Sequence, residues 1–309
     1  MKLSNKQLLL TKLETTYSTD PTPAAVNAMQ VWNLTTVPMV ADMKTRDRAF
    51  PNFGASPQSP SQVHRTIAFD VETAGSGAAG TAPLYGPQMR ACGMSETITA
   101  DTKVDYAPIS GGFESCTNYH FIDGLKHVSV GTRGTMTGSF QGGELPTLHF
   151  DMTGFYAPLA DAAFPAGWAA QLGSFVDSVE VNKANTAFSI LGFEAVLQQL
   201  TFTQGNTVAY RDRPNAASVD ITNRASTGQV SFEMTSVADF DVMQQILSTT
   251  TGALTITHGA TAGNIVIFNA PAVQLISPTY TKDGDTLLVQ ANLSFTRTLG
   301  DDEWKWTVQ

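Results

Sequence analysis

The sequence predicts a mainly β chain with a minor helical part (α+β), built as two tandem β-sandwich or β-barrel domains, each flanked by a short helix. Three observations support that fold class. Apolar residues alternate with Ser, Thr and Asn at a period of two over long runs, the spacing of a sheet with one buried face. Glycine pairs and an Asp-Gly step separate those runs and mark hairpins. The order of elements in the first half then returns in the second.

Bulk properties narrow the function classes. A chain of 309 residues fits one large or two ordinary domains. Apolar residues at 42% supply a core, and charged residues make up only 15%. Eighteen basic against twenty-seven acidic residues leave a formal charge of −9, the wrong sign for gripping phosphate by counterion release. The same surface suits a conduit that nucleic acid passes without sticking. Cys92 and Cys116 are the two cysteines, too few for a disulfide framework, and read as reduced core residues. No run approaches the roughly 20 apolar residues that span a bilayer, and MKLSNKQLLLTKLETTY lacks a signal-peptide pattern. Neither a membrane helix nor signal-peptide export is expected.

Residues 1–30 read as an arm. An amphipathic segment from Asn5 to Leu13 precedes a stretch in which Asp20, Pro21 and Pro23 forbid regular structure. Leu8, Leu9 and Leu10 need a surface, on this chain's body or on a neighbouring subunit. The first domain, 31–160, opens with a strand-like run from Val31 to Met43 and a long loop, Lys44 to Gln62. Three prolines and the basic cluster Lys44, Arg46 and Arg48 mark that loop as a contact loop. The next strand turns Ile67, Phe69 and Val71 to one side and Thr66, Asp70 and Glu72 to the other. A glycine bend and a short helix near Leu84, Met89 and Cys92 follow, with Pro87 keeping the helix brief.

Beyond Glu96 the pattern is strands and turns, with Asp123-Gly124 as a hairpin signal. The clearest alternation sets Val128, Val130, Met136 and Phe140 inward, and His127, Ser129, Arg133, Thr135, Thr137 and Ser139 outward. After Gly142-Gly143 the return strand turns Leu148, Phe150 and Met152 inward. Residues 161–176, rich in Ala, Pro and Gly, read as a linker.

The second domain, 177–298, repeats this order. Ile67 falls against Val230, Phe69 against Phe232, Asp70 against Glu233 and Val71 against Met234. A helix at 237–248 is predicted with Ser236 as N-cap and Phe240, Met243 and Leu247 as its apolar stripe. A long hairpin closes the copy, with Leu287, Val289, Ala291, Leu293 and Phe295 alternating with polar residues. Arg211 and Arg213 answer Arg46 and Arg48 in a shorter loop. Residues 299–309 read as a second arm with Trp304 and Trp306 on one side. Aromatics in arms and loops, Phe50 and Phe53 included, favour packing between subunits.

One stretch matches a cofactor-binding motif. Gly75-Ser76-Gly77-Ala78-Ala79-Gly80 fits G-x-G-x-x-G, with Asp101 downstream, as in a dinucleotide fingerprint. A buried parallel strand should be apolar throughout, whereas this one alternates, Pro87 interrupts the helix, and TSVADF in the second copy has no glycine. The motif therefore reads as a flexible bend. The five histidines, His64, His120, His127, His149 and His258, show no metal spacing. His127 and His149 are expected to face each other across the long hairpin, without a carboxylate partner. No G-x-S-x-G elbow is present. No enzyme, cofactor or metal is predicted.

LSNKQLLLTKLETTYSTDPTPAAVNAMQVWNL, AGSGAAGTAPLYGPQMRACGM and GTRGTMTGSFQGG resemble the tail tube (major tail) proteins of long-tailed bacteriophages. The resemblance covers most of the chain and is most specific in its N-terminal half. It implies a structural virion protein of helix-flanked, tail-tube-like β-sandwich domains, two here by the repeat, whose subunits close into rings with inner β-sheets joined around a lumen and whose rings stack into a tube that conducts DNA to the host. It implies no membrane partner and, as partners, further copies of the chain together with tape measure, tail terminator and distal tail proteins. Single-domain members form six-subunit rings, so two copies in one chain imply a trimer with pseudo-sixfold symmetry. Assembly in the host cytoplasm and residence in the virion tail follow from the same resemblance. Contact candidates are Lys44, Arg46, Arg48, Phe50, Phe53, Leu8, Leu9, Trp304 and Trp306. The runner-up is a carbohydrate-binding or adhesin-like β-sandwich, which predicts exposed aromatics on one sheet and gives no reason for arms.

Overall fold

The computed structural model describes residues 1–309. Strands hold 53% of them and helices 6%, so the chain is mainly β as predicted. The first half contains β1 (Gln7–Leu13), β2 (Ala28–Met29), β3 (Trp32–Thr45), β4 (Gln58–Glu72), helix α1 (Gly86–Ala91), β5 (Met94–Thr99) and β6 (Lys103–Pro108). It continues with β7 (Cys116–Ile122), β8 (Leu125–Gln141), β9 (Thr147–Tyr156), β10 (Ala160–Asp161) and helix α2 (Trp168–Leu172), which falls inside the segment read as a linker. The second half contains β11 (Thr186–Ile190), β12 (Leu197–Thr203), β13 (Asn206–Arg213), β14 (Ala216–Arg224), β15 (Thr227–Glu233) and helix α3 (Val242–Leu247). It ends with β16 (Thr251–His258), β17 (Val266–Asp283), β18 (Thr286–Phe295) and β19 (Lys305–Val308).

Eight strands make a front layer in the order β3-β4-β9-β8-β12-β15-β18-β17, antiparallel throughout. Its middle joint, β8 with β12, sets Phe140 opposite Leu200 and Thr137 opposite Thr203, and it joins the two halves of the chain. Behind lie two groups, β2-β1-β7-β8-β10 and β11-β16-β17-β19-β6-β5. The layers form a sandwich and no closed barrel, which corrects the barrel alternative.

β8 and β17 belong to both layers because each slips register at a bulge. In β8 the slip lies between Val130 and Arg133, at Gly131 with φ 60°. In β17 it lies between Ile276 and Thr279, at Ser277 with φ 51°. One extra residue turns every side chain beyond it to the other face. Hence Met136 and Phe140 are buried as predicted, while upstream it is His127 and Ser129 that are buried and Val128 and Val130 that are half-buried. His127 faces His120, and His149 faces Thr137 and Asp70, so the predicted His127–His149 pair does not form.

One cluster of 42 buried residues runs through both halves. Phe202 of β12 stacks on Phe268 of β17 with centroids 4.0 Å apart, and Trp306 lies 5.9 Å from Phe202. Cys92 and Cys116 are free and buried in this cluster, and burial raises both thiol pKa values. Helix α3 is shorter than predicted. Its cap is Asp241, whose carboxylate accepts from the Gln244 amide at 2.9 Å, while Ser236 Oγ accepts from Asp239 N in the preceding turn. Helix α1 has Pro87 in its first turn and Gly93, at φ 77°, just past its end.

Both segments read as arms are woven into the sheets. β1 pairs with β7 along its whole length, and its run of leucines is buried because the strand is covered on both faces. β19 lies between β17 and β6.

Candidate functional site

The front layer has one face on the core and one face turned away from it. Residues opposite each other in the register share a face, so the outward rows can be read strand by strand. They comprise Thr66, Asp70 and Glu72 on β4, Thr147, His149, Asp151 and Thr153 on β9, and Thr135, Thr137 and Ser139 on β8. Across the joint the rows continue with Thr201 and Thr203 on β12, Gln229 and Ser231 on β15, and Gln290, Asn292 and Ser294 on β18. Thr137 and Thr203 hydroxyls meet at 3.1 Å over the joint, and Gln229 donates to Asn292 at 3.3 Å. The surface is a wall of hydroxyls and amides.

Charge on this wall is mostly acidic. His149 sits between Asp70 at 2.5 Å and Asp151 at 3.3 Å. Burial disfavours its charge, but the two carboxylates outweigh that, and its pKa is raised. Arg133 is also on this side. Its guanidinium is consumed by the carbonyls of Glu114, Phe113 and Val219 at 3.1, 2.7 and 2.8 Å, and it lies over the Tyr17 ring. Arg133 is therefore already occupied by groups of its own chain.

Two hairpins project from the layer. In the second half, β13 and β14 continue β12 and β15 past the core and lie on the first half. There Tyr210 stacks on His64 at 4.8 Å and meets Phe155 edge-on at 5.7 Å. Gln62 and Asp212 exchange two hydrogen bonds of 2.9 and 3.1 Å, and the Val219 amide donates to Tyr17 Oη at 2.6 Å. In the first half, the far ends of β3 and β4 and the loop between them have no such bed. Lys44, Arg46 and Arg48 are exposed there, and Phe50 and Phe53 are exposed at 71% and 110%. Lys44 reaches only Asp42, at 3.8 Å between two solvent-exposed side chains, a contact of little energetic weight.

The family model for phage tail tube proteins matches residues 4–296, nearly the whole chain. The chain belongs to the phage tail tube protein family. It is therefore a structural protein of the virion tail. No curated protein matches it.

For this tail tube protein the remaining sequence candidates resolve within the chain. Trp304 and Trp306 are buried at 1% and 0%, with Trp304 Nε1 donating to Ser226 Oγ at 3.0 Å. Leu8 and Leu9 are buried against β7 and its surroundings. The expectation that the tryptophans favour subunit contact is thus corrected: Trp304, just before β19, and Trp306 on it face a ready-made aromatic cluster in the same chain. Lys44, Arg46, Arg48, Phe50 and Phe53 are the candidates left on a free surface.

The glycine motif proves to be a joint. The Gly77 amide donates to Gly263 O at 2.9 Å, and the Gly75 amide donates to Asn264 Oδ1 at 2.7 Å. A Cβ on Gly75 would lie 2.0 Å from Gly263 O, so the backbones of the two halves touch where side chains cannot fit. Sequence reasoning missed Arg65, which is 2% exposed. Its guanidinium donates to the carbonyls of Pro38 at 3.0 Å, Ala157 at 3.1 Å and Val128, tying β3, β8 and the end of β9 together. Its place on the apolar side of β4, beside Ile67, was the one available signal.

Proposed function

We propose that this tail tube protein polymerises as rings stacked into the phage tail tube, and that DNA passes along the polar wall on its way to the host cell. The observation that supports the reading best is the wall itself. Six adjacent antiparallel strands, β4-β9-β8-β12-β15-β18, present Ser, Thr, Asn, Gln and carboxylates on one continuous face, where phosphate finds mostly neutral and acidic partners. The chain would be made and assembled in the host cytoplasm, and the tube would adjoin tape measure, tail terminator and distal tail proteins.

The two halves are read as tandem copies. β3-β4-β9-β8 in the first matches β12-β15-β18-β17 in the second, and β1-β7 matches β11-β16. Two copies per chain favour three chains per ring with pseudo-sixfold symmetry. The loop between β3 and β4, longer than the turn between β13 and β14, reaches past the ring to an acidic surface of the next one through Lys44, Arg46 and Arg48.

Negative-stain imaging of the purified protein tests the reading. Rings or hollow filaments are expected, and a chain that stays monomeric at high concentration would overturn it. Replacing Lys44, Arg46 and Arg48 by Glu should leave folded subunits that do not extend tubes. Tubes of normal length from that variant would remove the loop's assignment.

A further inference from the structure

We propose that His120 and His127, buried together beside Arg65, act as an acid-operated release for β3: proton uptake frees this edge strand from β4 and from the layer behind it while the rest of the sandwich stays folded. The release belongs to the single chain and operates with or without rings.

Three basic side chains share one dry space between the layers. His120 on β7 and His127 on β8 are direct partners in register, with ring centroids 6.0 Å apart, and Arg65 reaches the space from β4. All three are buried. The guanidinium is the permanent charge, spent on the carbonyls of Pro38, Val128 and Ala157. The other groups that face His120 are neutral, Thr36 Oγ1 of β3 at 2.6 Å from Nδ1 and Gln7 Oε1 of β1 at 2.9 Å from Nε2. Nδ1 of His127 has no partner at all. Lys126, next in the chain to His127, turns away and lies over the Tyr119 ring. No carboxylate bonds to either imidazole. A buried cation without a counter-charge is costly, so both rings stay neutral while the space is closed. Burial first, and then the neighbouring basic groups, lower both pKa values.

Of the strands around this space, β3 is the one that yields. It is bonded to β4 alone, and three register shifts interrupt that pairing. None of its fourteen residues is buried. Its single side-chain hydrogen bond to the layer behind is the one from Thr36 to His120. By contrast, β7 is paired with β1 on one side and β8 on the other, and β4 has β9 on its far side. Local opening takes the element with the fewest buried contacts and bonds.

Opening of β3 lets water reach the imidazoles, which then take protons near their ordinary value of about 6.5. Protons bound by the open form and refused by the closed one multiply the open population. With His120 held at about 4 in the closed fold, it alone makes opening about twentyfold more frequent at pH 5 than at pH 7, and His127 adds to that. Once charged, the two rings and Arg65 repel one another and resist closing. β3 leads into the loop of Lys44, Arg46 and Arg48, so acid loosens the stem on which that loop stands.

Amide hydrogen exchange of the unassembled full-length chain tests the release, corrected for the intrinsic rate at each pH and repeated in low urea. Between about pH 7 and about pH 5 the amides bonded between β3 and β4 should lose about twentyfold or more of their protection, through an opening too small for urea to promote. The amides of β15 and β18 should remain far better protected and exchange by global unfolding, which urea does promote. In the His120→Gln, His127→Gln double variant the loss at β3 should nearly vanish. If that variant does not fold, His120→Gln alone should show a smaller loss than wild type. Three results would each overturn the release: β3 protection that is the same at both pH values, a loss as large in the folded variant, or β3 exchange that follows β15 and β18 in urea.

Discussion

Acid should destabilise this chain in a window set by His120. The side chain is 2% exposed on β7. Gln7 Oε1 can only accept, so the 2.9 Å contact places the proton on Nε2, and Nδ1 accepts from Thr36 Oγ1 at 2.6 Å. The fold thus holds a neutral ring. Burial, then the neighbouring His127 with centroids 6.0 Å away, then Arg65, push the pKa of His120 down to about 4. In the unfolded chain the same group takes a proton near about 6.5. The stabilisation is therefore complete above about pH 6.5, erodes as pH falls, and is gone by about pH 4. At 1.36 kcal/mol per pKa unit the loss is about 3 kcal/mol, a large share of a typical folding free energy. Carboxylates held low act further down. Burial opposes ionisation of Asp105, but Lys103 and Thr307 outweigh it, so its contribution is lost only below the usual carboxylate range. The assay is urea unfolding of unassembled chain from about pH 7 to about pH 4.5, wild type against His120→Gln. Glutamine keeps a donor for Gln7 and an acceptor for Thr36 and does not titrate. The variant should lose about 2 kcal/mol less across the window, with a residual slope from His127 and His258, whose pKa values are also lowered by burial. Parallel losses in the two proteins would refute the reasoning.

Two further substitutions probe the core and the joint between the halves. Trp306→Ala empties a fully buried site among Phe140, Phe202 and Phe268 and should cost about 3–5 kcal/mol, read as a lower midpoint in urea; a cost under about 1 kcal/mol would mean that the C-terminal strand is not held as described. Gly263→Ala places a Cβ 2.4 Å from the Gly77 carbonyl carbon at φ 86°, whereas Gly143→Ala, at φ 82°, meets nothing within 4 Å. The first should lower the melting temperature well below the second, because both share the backbone strain and only one breaks the contact; equal shifts would show that the glycine joint contributes nothing.

How legible each feature was depends on how local its cause is. Period-2 alternation placed the strands around β4, β9 and β18, because a half-buried sheet imposes that pattern on consecutive residues. It failed upstream of Gly131, where the bulge reverses the faces; a glycine among hydroxyl residues does not announce that its φ will be positive. The glycine-rich bend drew attention as a possible phosphate cradle. Its partner, Gly263, lies far along the chain, and only the folded backbone shows that the motif exists for close approach. Trp304 and Trp306 looked like free anchors because a short apolar tail carries no record of the slot waiting for it between β17 and β6.

By itself, the sequence determined the mainly β class, the basic tip of the first hairpin, the polar rows on β8 and β9 and the resemblance to tail tube proteins. The tertiary structure alone decided which strands lie side by side, that β8 and β12 join the halves, and that β3 and the far part of β17 remain open edges. Strand pairing rests on backbone hydrogen bonds that every residue but proline can make, so the choice of neighbour is written in packing across the whole chain, and no short stretch of it holds the answer.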